Sequence, residues 1–191
     1  MKKLNNPVFG IIFVLMLASC SIDYDEALLA EDLSENIPNS VLYNVTHIEV
    51  KDGKPLYRIQ AAEVASFDKK KEQHLSSVLF QEFNDSGEII TEGWADTVTY
   101  FTETEDAEME GNLDFFSQEE EGGISAEYLY WIKESKNLKS KSENQVNIWE
   151  DTGSSITGTG FEADFSTKEI YFSGGTSGTV VDEEDDDEGN E

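Results

Sequence analysis

The sequence has one cysteine, two histidines and three prolines in 191 residues, and only 13 basic residues against 41 acidic ones. Each shortage removes a class of function. A single Cys cannot build an internal disulfide framework, and two His with one Cys cannot assemble a Cys/His zinc site. A formal net charge of -28 leaves no basic surface to displace counterions, so no nucleic-acid partner is expected. Apolar residues are not scarce. They make up 38% of the chain and aromatics 11%, enough for a packed fold in place of a disordered polyanion. The length suits one domain.

Catalysis finds little support. His47 and His74 are the only imidazoles, and neither sits in a Ser-His-Asp order. Among 41 acids, carboxylate pairs arise by chance, so a glycosidase has no specific signal. No Walker-type loop is present. The expectation is a protein without enzymatic activity, cofactor or metal.

The N-terminus reads as an export signal, residues 1–19. Lys2 and Lys3 form the charged start, and Val8 to Leu17 is an apolar run broken only by Gly10. That run is too short to span a bilayer, which takes about 20 apolar residues. Leu17-Ala18-Ser19-Cys20 then resembles the bacterial lipobox, in which the Cys is lipidated and becomes the first mature residue. Cys20 is therefore expected to be a lipid anchor and not a nucleophile. Several acyl chains, at about 0.8 kcal/mol per buried methylene, make such an attachment durable.

Residues 20–40 read as a tether, with Pro38 ending any short helix around Ala27, Leu28, Leu29 and Leu33. Extended, about 20 residues reach roughly 65 Å. Residues 182–191 hold eight acids in ten positions and read as a solvated tail. Residues 41–181 form the expected domain, and their pattern has period two. In Ala107-Glu108-Met109-Glu110-Gly111-Asn112-Leu113-Asp114-Phe115, odd positions are apolar or small and even ones polar. Tyr57, Ile59 and Ala61 alternate with polar neighbours, as do Ile124, Ala126, Tyr128 and Tyr130. Trp94, Val98 and Tyr100 do the same, although Asp96 interrupts their face. Val146 with Ile148 and Ile170 with Phe172 make shorter pairs. Turn signals at Asp52-Gly53, Asn84-Asp85-Ser86-Gly87, Gly122-Gly123, Asp151-Thr152-Gly153 and Gly174-Gly175 divide the runs into about nine to twelve antiparallel strands. A weak repeat of about 30 residues, starting near Trp94, Ile124 and Phe161, suits stacked strand pairs.

The order of these features resembles the LptC family of lipopolysaccharide-export proteins. Asp52-Gly53-Lys54-Pro55-Leu56-Tyr57-Arg58-Ile59-Gln60-Ala61 resembles the family's first hairpin. Val78 to Phe80, the turn at Gly87, the strand from Trp94 to Tyr100, and Glu110-Gly111-Asn112-Leu113 follow in order. Ile156-Thr157-Gly158-Thr159-Gly160-Phe161 resembles the late "I-x-G-x-G-hydrophobic" segment. The similarity covers residues 40 to about 181. Two features depart from the family: a lipobox replaces the transmembrane anchor, and Ser21 stands where Asp would mark inner-membrane retention.

The resemblance implies an all-β fold: one antiparallel OstA-like β-jellyroll, two facing sheets forming a V-shaped groove, and no significant helix outside the N-terminal segment. It implies a periplasmic, membrane-anchored part of an export bridge. Lipopolysaccharide or a related glycolipid would come from inner-membrane ABC exporter subunits and pass to a soluble LptA-type partner of the same fold. The groove would be lined by Tyr57, Ile59, Ala61, Val78, Phe80, Trp94, Val98, Tyr100, Met109, Leu113, Tyr128 and Tyr130. The partner edge would hold Ile170, Phe172, Val180 and Val181, and the membrane would be held through Cys20, most simply at the outer leaflet of the inner membrane. The anionic cargo conflicts with the acidic domain, unless its head group stays outside, divalent ions bridge it, or the glycolipid carries less charge. The alternative is a surface or periplasmic β-rich lipoprotein that binds protein or serves structurally, with a closed core and no groove.

Overall fold

The computed structural model describes residues 35–181. The signal peptide, Cys20, most of the tether and the acidic tail lie outside the described residues. Contacts divide the chain into two units, and the one described here is Pro38–Glu191.

Every element among the described residues is a strand. In chain order they are β1 (Ser40–Lys51), β2 (Lys54–Phe67), β3 (Glu72–Phe83), β4 (Ile89–Phe101), β5 (Asp106–Ser117) and β6 (Gly122–Ile132). Shorter ones follow: β7 (Asn137–Lys139), β8 (Gln145–Glu150), β9 (Ser155–Thr159), β10 (Phe161–Asp164), β11 (Glu169–Phe172) and β12 (Thr176–Thr179). Each of the first six pairs antiparallel with the next. At β6 the sheet forks, with one branch running β7-β10-β11 and the other β8-β9-β12.

The fork comes from a crease that crosses every strand. In β1 and β3 a single residue with positive φ marks it, Asn44 (52°) and Ser77 (49°). In β5 two such residues do, Gly111 (74°) and Asn112 (45°), and the register with both neighbours shifts there. Farther along, the crease breaks the strand outright. Residues 140–144 separate β7 from β8, Gly160 (φ 63°) separates β9 from β10, and residues 173–175 separate β11 from β12. The sheet is thus a row of long strands bent over one line into two leaves. The crease is pinned by Asp96, whose carboxylate accepts a 2.6 Å hydrogen bond from Asn112 Nδ2.

Bending changes which side chains face inward. In a straight strand, inward residues lie two apart. Across the crease they lie three apart in four strands: Ala61 and Val64, Leu75 and Val78, Ala95 and Val98, Ala126 and Leu129. In β5 the two extra residues make the step four, from Met109 to Leu113. An odd step reverses the alternation for the rest of the strand.

Close packing on the inner face is local. A Cβ on Gly93 would sit inside the ring of Phe115, which lies directly opposite on β5. Gly93→Ala is therefore expected to cost about 1–3 kcal/mol in urea unfolding, since the blocking atoms are the root of a ring and not a flexible tip.

Candidate functional site

Cross-strand pairs define four rows on the inner face. Two belong to the first leaf. Val45, Ala61, Val78 and Ala95 lie opposite one another and continue through Leu113, Ala126 and Val146. Two residues farther from the crease run His47, Ile59, Phe80, Gly93, Phe115, Ile124, Ile148 and Ile156. The second leaf carries Leu42, Val64, Leu75, Val98, Met109 and Leu129. Beyond them run Ser66, Gln73, Tyr100, Ala107, Trp131, Leu138, Ala163 and Ile170. None of these residues is charged at neutral pH. With 41 acids in the chain, that segregation is a property of the fold's two faces.

Burial falls away from the crease. Leu113 is 1% exposed, and Leu129 and Val146 are fully buried. In the outer rows Ile59, Phe80, Phe115, Ile124, Ile148, Tyr100 and Trp131 are only half-buried. Ten apolar side chains are buried among the described residues, and four of those are alanines. A closed sandwich of this size would bury its large inner residues. These remain partly open, so the inner face is an apolar trough that is dry at its floor.

The two leaves face each other across its mouth. Tyr57 belongs to the first leaf and Tyr100 to the second, yet each raises or is raised by charge on the other side. Tyr57 is pushed above its ordinary value of 10 by burial, then by Glu49, and also by Glu105 of the second leaf. Tyr100 is raised by burial, by Glu105 and by Glu49 of the first leaf. Both hydroxyls sit where an aromatic body is dry and its tip wet.

Nine of the twelve residues assigned to the groove lie on this face. Trp94, Tyr128 and Tyr130 do not. Trp94 lies between inward Gly93 and Ala95, pairs with Leu79 and Asp114, and is 53% exposed. Tyr128 and Tyr130 flank buried Leu129 and pair with Glu110 and Glu108. Strict alternation along β4 and β6 misplaced them, because the three-residue step at the crease moves Leu129 and Trp131 inward instead. Phe115, Ile124, Ile148, Leu75, Trp131 and Leu138 join the face unannounced. Their signal was the Asp96 interruption in β4, which marks the crease.

On the outer face Tyr128 is enclosed. Lys141 Nζ lies 3.6 Å from its ring centroid and 3.4 Å from Glu110 Oε1. Burial, then a hydrogen bond to Glu108, holds the Tyr128 hydroxyl far above its ordinary value, and burial with Asp106 raises Tyr130. A tyrosine whose folded value exceeds its unfolded value of about 10 contributes stability that is intact below pH 10 and lost as pH climbs higher. We expect stability to fall steeply above pH 10, and Tyr128→Phe to flatten that fall, read as urea midpoints between pH 8 and 11.

The partner-edge residues lie at the forked end. β11 pairs only with β10 and β12 only with β9, so each has one unpaired backbone edge. Ile170, Val180 and Val181 are exposed, whereas Phe172 turns inward, 5.6 Å from Phe161. At the opposite end β1 is also an edge, with Val41, Leu42, Tyr43, Ile48 and Val50 exposed. No three His, Cys, Asp or Glu side chains among the described residues converge to hold a metal ion.

This creased, charge-segregated sheet spans the region that a known family describes. The family model "Lipopolysaccharide-assembly, LptC-related" matches residues 9–181. The chain belongs to the LptC-related family. As an LptC-related protein it serves the lipopolysaccharide transport bridge in the periplasm and is not an enzyme. Among solved structures it is similar to LptH of Pseudomonas aeruginosa, described as the LptA-homologous periplasmic component of the lipopolysaccharide transport device. That likeness has 10% identity and a TM-score of 0.46, and covers 78% of this chain and 99% of the other. No curated protein matches the chain.

Proposed function

We propose that this LptC-related chain is lipid-anchored through Cys20 and carries lipopolysaccharide acyl chains in the trough between its leaves. It takes the lipid from inner-membrane ABC exporter subunits and hands it to a soluble LptA-type protein. The observation that carries this reading is the set of four uncharged inner rows, half-exposed away from the crease. Burying about ten methylenes gains roughly 8 kcal/mol, and association takes back several. The remainder corresponds to about millimolar to micromolar affinity, which suits transit, with energy supplied by the exporter.

Charge places the cargo's head group. Carboxylates stand on the outer face and at the rim, where Glu49, Glu82 and Glu150 share the row of Tyr57. An anionic head group is repelled there, so it stays beyond the mouth while its tails enter. Handover uses the free edges of β11 and β12, where an added strand gains main-chain hydrogen bonds. Exposed Ile170, Val180 and Val181 flank that edge.

In-cell photo-crosslinking tests the reading. A photoreactive residue at Phe80 or Val98 is expected to capture lipopolysaccharide in a manner that depends on exporter ATP hydrolysis. The same residue at Tyr128 is expected to capture none. Silence at both inward positions in a folded protein would establish a closed core and the structural or protein-binding lipoprotein in its place.

A further inference from the structure

The outer face of the first leaf holds a feature that lipid transit does not use. A cavity of about 310 Å³ is lined by Ile89, Glu92, Trp94, Asp114, Phe116 and Gln118. Its floor is a checkerboard of two rungs. Trp94 lies opposite Asp114, and Glu92 opposite Phe116, so each aromatic ring has a carboxylate both across from it and beside it. Phe116 is held in place by stacking on Trp149 at 5.6 Å and 11°. Glu92 accepts a hydrogen bond from Gln81, which itself accepts one from Arg58 Nε at 2.9 Å. Trp94 remains more than half exposed.

The second leaf builds the same pattern and fills it. There Tyr128 faces Glu110 and Tyr130 faces Glu108, and Lys141 lies over the Tyr128 ring while pairing with both carboxylates. Elsewhere Arg58 covers Phe83, and Lys54, Lys133 and Lys139 pair with Asp85, Glu105 and Glu162. With 13 basic residues against 41 acidic ones, the chain does not have cations for every such cradle.

We propose that the Glu92–Trp94–Asp114–Phe116 pocket receives an arginine side chain from a basic partner protein. A guanidinium is planar, stacks on an indole and takes carboxylates with two donors at once. The volume lies at the lower limit of small-ligand sites, about 300–1,000 Å³, and fits one side chain presented by a larger surface. Trp and Arg are also the residues that anchor protein interfaces.

The test uses the full chain in detergent, labelled with ¹⁵N, and reads the indole N–H resonances. N-acetyl-arginine amide is expected to shift the Trp94 signal saturably, with a dissociation constant on the order of millimolar. N-acetyl-citrulline amide, the uncharged analogue, is expected to bind at least about ten-fold more weakly. Glu92→Gln combined with Asp114→Asn is expected to abolish the response while the Trp131 signal reports an intact fold. Equal responses to both amides, or a shift that survives the double substitution, would overturn the proposal. In cells, a photoreactive residue at Leu79, beside Trp94, is expected to yield a protein adduct whose crosslinked peptide contains arginine and which the double substitution removes. A lipopolysaccharide adduct there, or a protein adduct indifferent to the substitution, would also overturn it. Neither result depends on lipid binding in the trough.

Discussion

Leu129→Ala is expected to lower the unfolding free energy by about 2–5 kcal/mol, whereas Tyr128→Ala costs about 1 kcal/mol. The two residues are neighbours on β6, and the contrast between them tests the crease directly. Leu129 is fully buried and faces Met109, in the row that runs on to Val98, Leu75 and Val64. Truncating it leaves a cavity whose walls are strands hydrogen-bonded on both sides, so the site collapses poorly. Tyr128 loses a cation–π contact with Lys141 and a part-exposed hydrogen bond, both on the outer surface. Urea unfolding of both variants measures the difference. Equal costs, or a larger cost for Tyr128, would mean that β6 alternates without interruption and that the trough is lined by tyrosine.

The same crease explains what could be read from the chain and what could not. The turns at Asp52-Gly53 and Asn84–Gly87 lie where the sequence puts them, and the twelve strands match the expected number. Within the first leaf the period-two pattern assigns faces correctly, as for Tyr57, Ile59 and Ala61. β5 reads correctly along its whole length because its crease inserts two residues, Gly111 and Asn112, and parity survives. β4 and β6 insert an odd number, and parity is lost. Nothing in Ala126-Glu127-Tyr128-Leu129 marks the change, because Tyr128 is as apolar as the residue it displaces. In β4 the mark is present as Asp96, a carboxylate in an apolar row. It is explained only once Asn112, a partner from another strand, is found beside it. Local pattern specifies the strands, and the bend that makes two leaves from one sheet is specified by contacts between strands.

Phe80→Asp is expected to lower lipopolysaccharide retention by about a hundred-fold with the fold intact, which is the largest functional effect anticipated. Phe80 is half-buried in the second inner row, opposite Ile59 and Gly93, with the Tyr57 ring 6.2 Å away. A carboxylate there remains hydrated in the empty trough, so folding tolerates it. Acyl chains entering the trough would strip that water. The variant loses an apolar contact of about 1.5–3 kcal/mol and adds the cost of desolvating a charge. Together these exceed the roughly 2.7 kcal/mol that a hundred-fold change requires. Phe80→Leu, which keeps the row apolar, is expected to stay within about ten-fold of the parent. Trp94→Asp adds the same charge to the outer face and is expected to change nothing, since carboxylates already stand there at Glu92 and Asp114. The readout is lipopolysaccharide captured by a photoreactive residue at Val98 in each background. Retention that is insensitive to Phe80→Asp, or equally sensitive to Trp94→Asp, would show that the segregation of 41 acids away from the four inner rows serves folding alone and not the passage of lipid.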